Sequence, residues 1–104
     1  MGKYVLAYRG GTMGETPEEQ QEAMTQWMNW FGSLAESVVD GGNPFGPGSR
    51  ISPDGSVKSD ATMELTGYSI IDASDMTDAC KKAKGCPVLS GGGSIDVYEA
   101  MPIG

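Results

Sequence analysis

Few side chains in this chain are of types that do chemistry. Tyr8 and Arg9 stand together at the end of an apolar run. Asp40 and Tyr68 each sit beside a glycine, and Cys86 precedes Pro87. An arginine could anchor a carboxylate, and an aspartate or tyrosine could move a proton. A cysteine could attack only if its thiol were ionised and exposed. Trp27, Trp30 and Phe31 recur at helical spacing, and such a cluster could wall an apolar pocket into which the hydroxyls of Tyr8 and Tyr68 point. Each group also has a plainer role. Aromatic stripes ordinarily build core, and buried tyrosines find structural partners. Turn aspartates bond to nearby backbone N–H groups. Tyr8, Arg9, Trp27, Trp30, Asp40, Tyr68 and Cys86 are the candidate pocket residues.

What is missing narrows the chemistry further. The chain has no histidine, so a serine–histidine or cysteine–histidine mechanism within one chain is excluded, as are histidine-ligated zinc and haem. Cys80 and Cys86 have neither a zinc-knuckle nor a redox spacing and read as two reduced thiols. The methionines Met13, Met24, Met28, Met63 and Met76 are scattered, which suits gap filling better than a copper site. Asp72, Asp75 and Asp78 read as a strand end and a helix start, not as a glycosidase pair. No metal or cofactor is expected. Fourteen acids against seven bases give a net charge of −7. That balance disfavours nucleic acid and anionic membranes as partners. "MGKYVLAYRGG" carries no long apolar run, and Leu6 stands where a myristoylation signal needs Ser or Thr. These features place the protein in the cytoplasm.

The glycine-rich stretches do not read as phosphate loops. "RGGTMG" (9–14) matches no G-x-G-x-x-G, and no G-K-[ST] follows any glycine cluster. "DGGNPFGPG" (40–48) follows a helical pattern instead of preceding one, so it reads as an exit turn.

These residues need elements to position them, and the 104-residue chain fits a single domain. "KYVLAY" (3–8) reads as a strand with Tyr4, Leu6 and Tyr8 on one face and Val5 and Ala7 on the other. Thr16, Pro17 and Glu19 form a capping box that opens a helix over 17–38, with apolar positions Met24, Trp27, Met28, Phe31, Leu34, Ala35 and Val38 and a stop at Gly41. "SRIS" and "SVKS" flank Pro53-Asp54-Gly55 and predict a hairpin. "TGYSIIDA" (66–73) is a further strand. Asp75 caps a helix over 75–84 that Gly85 and Pro87 end, and "SIDVYEA" (94–100) is the last strand. The order β-α-β-β-α-β predicts an α+β, ferredoxin-like fold, an antiparallel sheet with both helices on one face. The other face, with Val5, Ala7 and Tyr98 or Ile95, then needs cover. A second copy would supply it in a homodimer packed sheet to sheet, a dimeric α+β barrel.

Over nearly its whole length the chain resembles the YCII-related, or DGPF, domain family. The resemblance rests on "KYVLAYRG", "WMNWFGSL", "VVDGGNPFGP", "SPDGSV", "LTGYSIIDASDMTDACKKAKGCPVL" and "GGGSIDVYEAMP". It implies a small bacterial protein with a ferredoxin-like fold and a dimer. Most such proteins have no established activity. A few are linked to ring fission or dehalogenation of small aromatic-derived compounds, and some occur alongside extracytoplasmic-function sigma factors. Two departures matter. "SDATMEL" (59–65) replaces the family's D-G-P-F-A-E-T-K-E signature. The family's proposed histidine–aspartate pair is also absent, because Gln20 to Met28 hold no histidine and Cys86 occupies the position before Pro87. The resemblance therefore implies a cavity without its acid–base pair and weighs against an enzyme. Three functions follow: a non-enzymatic dimeric domain that binds a small organic ligand or a partner; a lyase, isomerase or dehalogenase on a small cyclic or aromatic-derived acid, with Asp40 or a tyrosine as acid–base group and Arg9 as anchor; and a regulatory partner in transcription.

Overall fold

A computed structural model describes residues 2–59 and 64–103. Met63, and the stretch Asp60 to Met63 of "SDATMEL", lie outside the described residues. Strand β1 (Gly2–Arg9) leads into helix α1 (Pro17–Leu34), a 3-10 turn (Ala35–Ser37) and a short strand β2 (Val38–Asp40). Strands β3 (Ser49–Ile51) and β4 (Val57–Ser59) follow, then β5 (Leu65–Ala73), helices α2 (Met76–Ala83) and α3 (Pro87–Ser90), and strand β6 (Ser94–Ala100). Four strands form one sheet in the order β2-β5-β1-β6, all antiparallel. Without the hairpin this is the ferredoxin-like βαββαβ arrangement.

The second sheet strand is not the one the sequence predicts. The β3–β4 hairpin forms as expected, with Ile51 paired to Val57 and Ser52 N–H donating to Ser56 O at 2.9 Å, but it makes a separate two-stranded ribbon. Its Ile51 and Val57 are 71% and 63% exposed. The place beside β5 belongs to Val38–Asp40, whose β-branched valines suit a strand. The helix accordingly stops at Leu34, short of the predicted end near 38. Ala35 closes it at φ 50°, still donating to Phe31 O.

The packing face of α1 is also turned from the expected one. Trp30 is buried, with Trp27, Phe31 and Leu34 packed against the core, whereas Met24 and Met28 face solvent. Both longer helices are capped, and both caps include one more residue than a simple capping box. Thr16 Oγ1 accepts from Glu19 N–H at 3.1 Å, while Glu19 Oε2 accepts from Glu15 N–H at 2.9 Å. Asp75 Oδ1 accepts from Asp78 N–H, and Asp78 Oδ2 from Ser74 N–H. That bond from Ser74, reinforced by Lys82, holds the Asp78 carboxyl below its ordinary pKa.

Strand alternation sorts the sheet into two faces. Tyr4, Leu6 and Tyr8 of β1 and Ser69, Ile71 and Ala73 of β5 point under the helices, where they meet Trp30, Ala79, Ala83, Cys86 and Val88. Ile95 and Val97 of β6 join this side. On the other face Ile70, Val5 and Tyr98 are register partners and form an apolar row across three strands, with Tyr98 61% exposed.

Candidate functional site

The sheet and α1 diverge at one end, where "RGGTMG", "GGNP" and the α3 turn meet. They enclose an open cleft of about 680 Å³. Its aromatic lining comes from Tyr8, Trp27, Phe31 and Tyr68, and Met13, Ala23, Pro44, Pro87 and Val88 add to the apolar part. Glu19, Glu22 and Gln26 edge it from α1, at the spacing that puts them on the same side of the helix as Ala23 and Trp27. The rim is tight because two glycine-bearing loops lie against each other. A Cβ on Gly93 would fall 2.6 Å from Arg9 O and 2.8 Å from Val88 Cγ2.

Tyr8 is the best-anchored group in the cleft. Its hydroxyl donates to Ser69 Oγ at 2.6 Å, and Ser69 donates onward to Gly41 O at 2.7 Å. The Trp27 ring meets Tyr8 edge-on, with centroids 5.4 Å apart, and meets Trp30 in the same manner at 5.8 Å. Burial pushes the Tyr8 hydroxyl well above its ordinary pKa, so it keeps its proton at neutral pH. The Cys86 thiol lies against that hydroxyl, and burial raises its pKa to about 11. The thiol is 2% exposed and protonated, the opposite of a reactive cysteine.

Of the residues singled out in the sequence, Tyr8, Trp27 and Tyr68 border the cleft; Arg9, Trp30, Asp40 and Cys86 do not. Trp30 is core, its indole N–H donating to Lys82 O at 3.0 Å. Arg9 points to the outer face, where Nε donates to Asp96 Oδ2 at 2.6 Å and Nη1 pairs with Glu64. Asp40 Oδ1 accepts from Gly42 N–H at 2.8 Å, and Oδ2 accepts from the Tyr68 hydroxyl at 3.3 Å. Tyr68 stacks on Phe45, with centroids 5.6 Å apart and the rings 20° from parallel. Asp40, Tyr8 and Arg9 therefore do not converge. "DGGNPFGPG" is more than an exit turn: Phe45 N–H donates to Thr66 O, and Pro44 bridges to Gly67, so the segment runs on along β5. The approach is close enough to demand glycine. A Cβ on Gly42, at φ 77°, would lie 1.6 Å from Tyr68 O.

Ser69, Glu19, Glu22 and Asn43 belong to the site and are not among the pocket candidates read from the sequence, where Glu19 figures only as a helix cap. Ser69 carried a readable sign, a hydroxyl in the inward register between Gly67 and Ile71. Among the described residues, no group of three or more acidic or cysteine side chains could hold a metal. No helix of the described chain is long and apolar enough to cross a membrane.

Fold and cleft together define an α+β protein of ferredoxin-like topology with an aromatic-walled cleft at one end of its sheet. No protein-family model and no curated protein matches the chain. Among solved structures it is similar to 5-chloro-2-hydroxyhydroquinone dehydrochlorinase (TftG) from Burkholderia phenoliruptrix AC1100, in complex with 2,5-dihydroxybenzoquinone. The TM-score is 0.56 at 14% identity, over 94% of this chain and 93% of that one. The likeness is one of fold.

Proposed function

We propose that this protein binds a small, flat organic molecule in the cleft beside Tyr8 and Trp27. The cleft itself carries the reading: about 680 Å³, walled by Tyr8, Trp27 and Phe31, falls in the range of small-molecule sites. The proton-transfer and anchoring groups singled out in the sequence are engaged within the fold. Tyr8 is tied to Ser69, Asp40 to Gly42 and Tyr68, and Arg9 to Asp96 and Glu64. Binding without catalysis accounts best for this arrangement. A native mass-spectrometry screen of small organic compounds tests it, run on the wild type and on Ala23→Phe, which fills the cleft from α1. Compounds should bind the first and not the second. Equal retention by both would defeat the reading.

A second reading has one observation behind it, the dehydrochlorinase with the same fold. In that reading the chain removes chloride from a chlorinated hydroxyquinol. Chloride release from 5-chloro-2-hydroxyhydroquinone, followed by ion chromatography, decides it; no release above the buffer rate ends it.

The family and the assembly belong to the same proposal. The stretches that resemble the YCII-related, or DGPF, family are the ground for reading the chain as a relative of it that works in the cytoplasm, with Cys80 and Cys86 as free thiols. The row Ile70–Val5–Tyr98 supports a homodimer that covers the outer face. A clean monomer at micromolar concentration in sedimentation would remove the dimer.

A further inference from the structure

The proposed cleft has a one-sided charge. None of the chain's seven basic residues lines it. Arg9 is held on the outer face by Asp96 and Glu64, and Lys82 by Asp78 and the carbonyl of Asp72. Arg50 and Lys58 sit on the hairpin, Lys3 on β1, and Lys81 and Lys84 at the end of α2. The only ionisable carboxylates among the lining residues, Glu19 and Glu22, stand along one edge. The protein's net charge of −7 adds to the same sign.

The N-terminus of α1 borders the cleft and would ordinarily attract an anion. Here Pro17 brings no N–H, and several donors in and before the first turn are engaged within the chain. Gly14 N–H bonds to Thr12 Oγ1, Glu15 N–H to Glu19 Oε2, Glu19 N–H to Thr16 Oγ1, and Gln20 N–H to Thr16 O. The chain's own carboxylate thus stands where an anionic ligand would dock. A carboxylate ligand would meet Glu19 and Glu22 with no cation to pair it. A cation would meet two carboxylates and the negative π-faces of an aromatic wall.

Resting on the ligand-binding reading above, we infer that the cleft selects small organic cations with an aromatic or apolar body, such as arylalkyl-ammonium compounds, over carboxylic acids of the same shape. Phenethylammonium, 2-phenylethanol and phenylacetate share a skeleton and differ in the charge at one end. Each is titrated into the ¹⁵N-labelled protein while the indole N–H signal of Trp27 is followed. The expected order of affinity is amine, then alcohol, then acid. Glu22→Gln, a change at an exposed helix position, should weaken the amine about two- to five-fold and leave the alcohol unchanged. Cation selection is overturned if phenylacetate or the alcohol binds at Trp27 as tightly as the amine, or if Glu22→Gln leaves the amine unaffected. If none of the three moves the Trp27 signal, the ligand-binding reading falls with it.

Discussion

The Tyr8 hydroxyl and Ser69 Oγ lie 2.6 Å apart beneath the cleft, and this contact ties β1 to β5 through side chains as well as through the ladder. Ser69 is fully buried and passes the bond on to Gly41 O. Tyr8→Phe leaves Ser69 its carbonyl partner and should cost about 1 kcal/mol. Ser69→Ala strands both the Tyr8 hydroxyl and the Gly41 carbonyl and should cost about 2–3 kcal/mol. In urea denaturation the double variant should lose less than the sum of the two, because both changes break one shared network.

Two glycines should respond in opposite directions to alanine. Gly32 lies inside α1 with nothing within 4 Å of an added Cβ, so Gly32→Ala should stabilise by about 0.5–1 kcal/mol. Gly42→Ala drives a Cβ into the Tyr68 carbonyl from a positive-φ position. It should cost more than about 2 kcal/mol and release the 43–45 segment from β5. Thermal unfolding ranks the two, and faster amide exchange at Phe45 and Tyr68 reports the release.

The raised Cys86 pKa sets a direction for alkaline stability. The buried thiol titrates near 11 in the folded chain, against about 8.5 for an unperturbed cysteine. Between those values the folded state holds a proton that the unfolded chain has lost. The contribution is therefore complete below about pH 8.5 and is lost as pH rises toward 11. Cys86→Ala should flatten the fall in stability across that window. At pH 8, iodoacetamide should label the partly exposed Cys80 well before the buried Cys86, as peptide mass spectrometry would show.

Arg9 is bound by two carboxylates on the face away from the cleft. Arg9→Gln should leave ligand affinity at Trp27 unchanged and lower stability only slightly, as the loss of solvent-exposed ion pairs does. A ten-fold loss of affinity in the same titration would return Arg9 to the site.

The outer face offers a direct probe of assembly. Val5→Lys places a charge in the middle of the Ile70–Val5–Tyr98 row and should convert the proposed dimer to monomer in sedimentation. Circular dichroism should be retained, because Val5 points away from the core.

Much of this molecule is legible in its sequence, because local rules and the fold agree. Alternation gives the inward Tyr4, Leu6 and Tyr8; Thr16 and Asp75 cap their helices; and Pro53-Asp54-Gly55 turns the hairpin. The end of α1 is not legible. Val38 continues the helical stripe as well as it begins a strand, and only its pairing with Ile71 selects the strand. Met28 fits the same stripe by spacing, yet the contact of Trp30 with Lys82 turns α1 so that Met28 is 70% exposed. At the site, neighbouring positions mislead. Tyr8 and Arg9 are adjacent, so a strand must send them to opposite faces. The bond of Asp40 to Gly42 N–H is the local turn contact the sequence offers, whereas its second partner, the Tyr68 hydroxyl, comes within reach only once the segment folds back along β5.

The hairpin between Ser49 and Ser59 makes its ladder bonds internally, and the sheet closes without it. It also helps make the chain wide and flat, with a radius of gyration of 15.1 Å against about 13 Å for a compact chain of this length. Evolution and the protein engineer meet the same freedom there. Length and composition at the Asp54–Gly55 tip can drift, or accept a reporter peptide, while the cleft keeps its shape, because none of its lining residues lies on the hairpin.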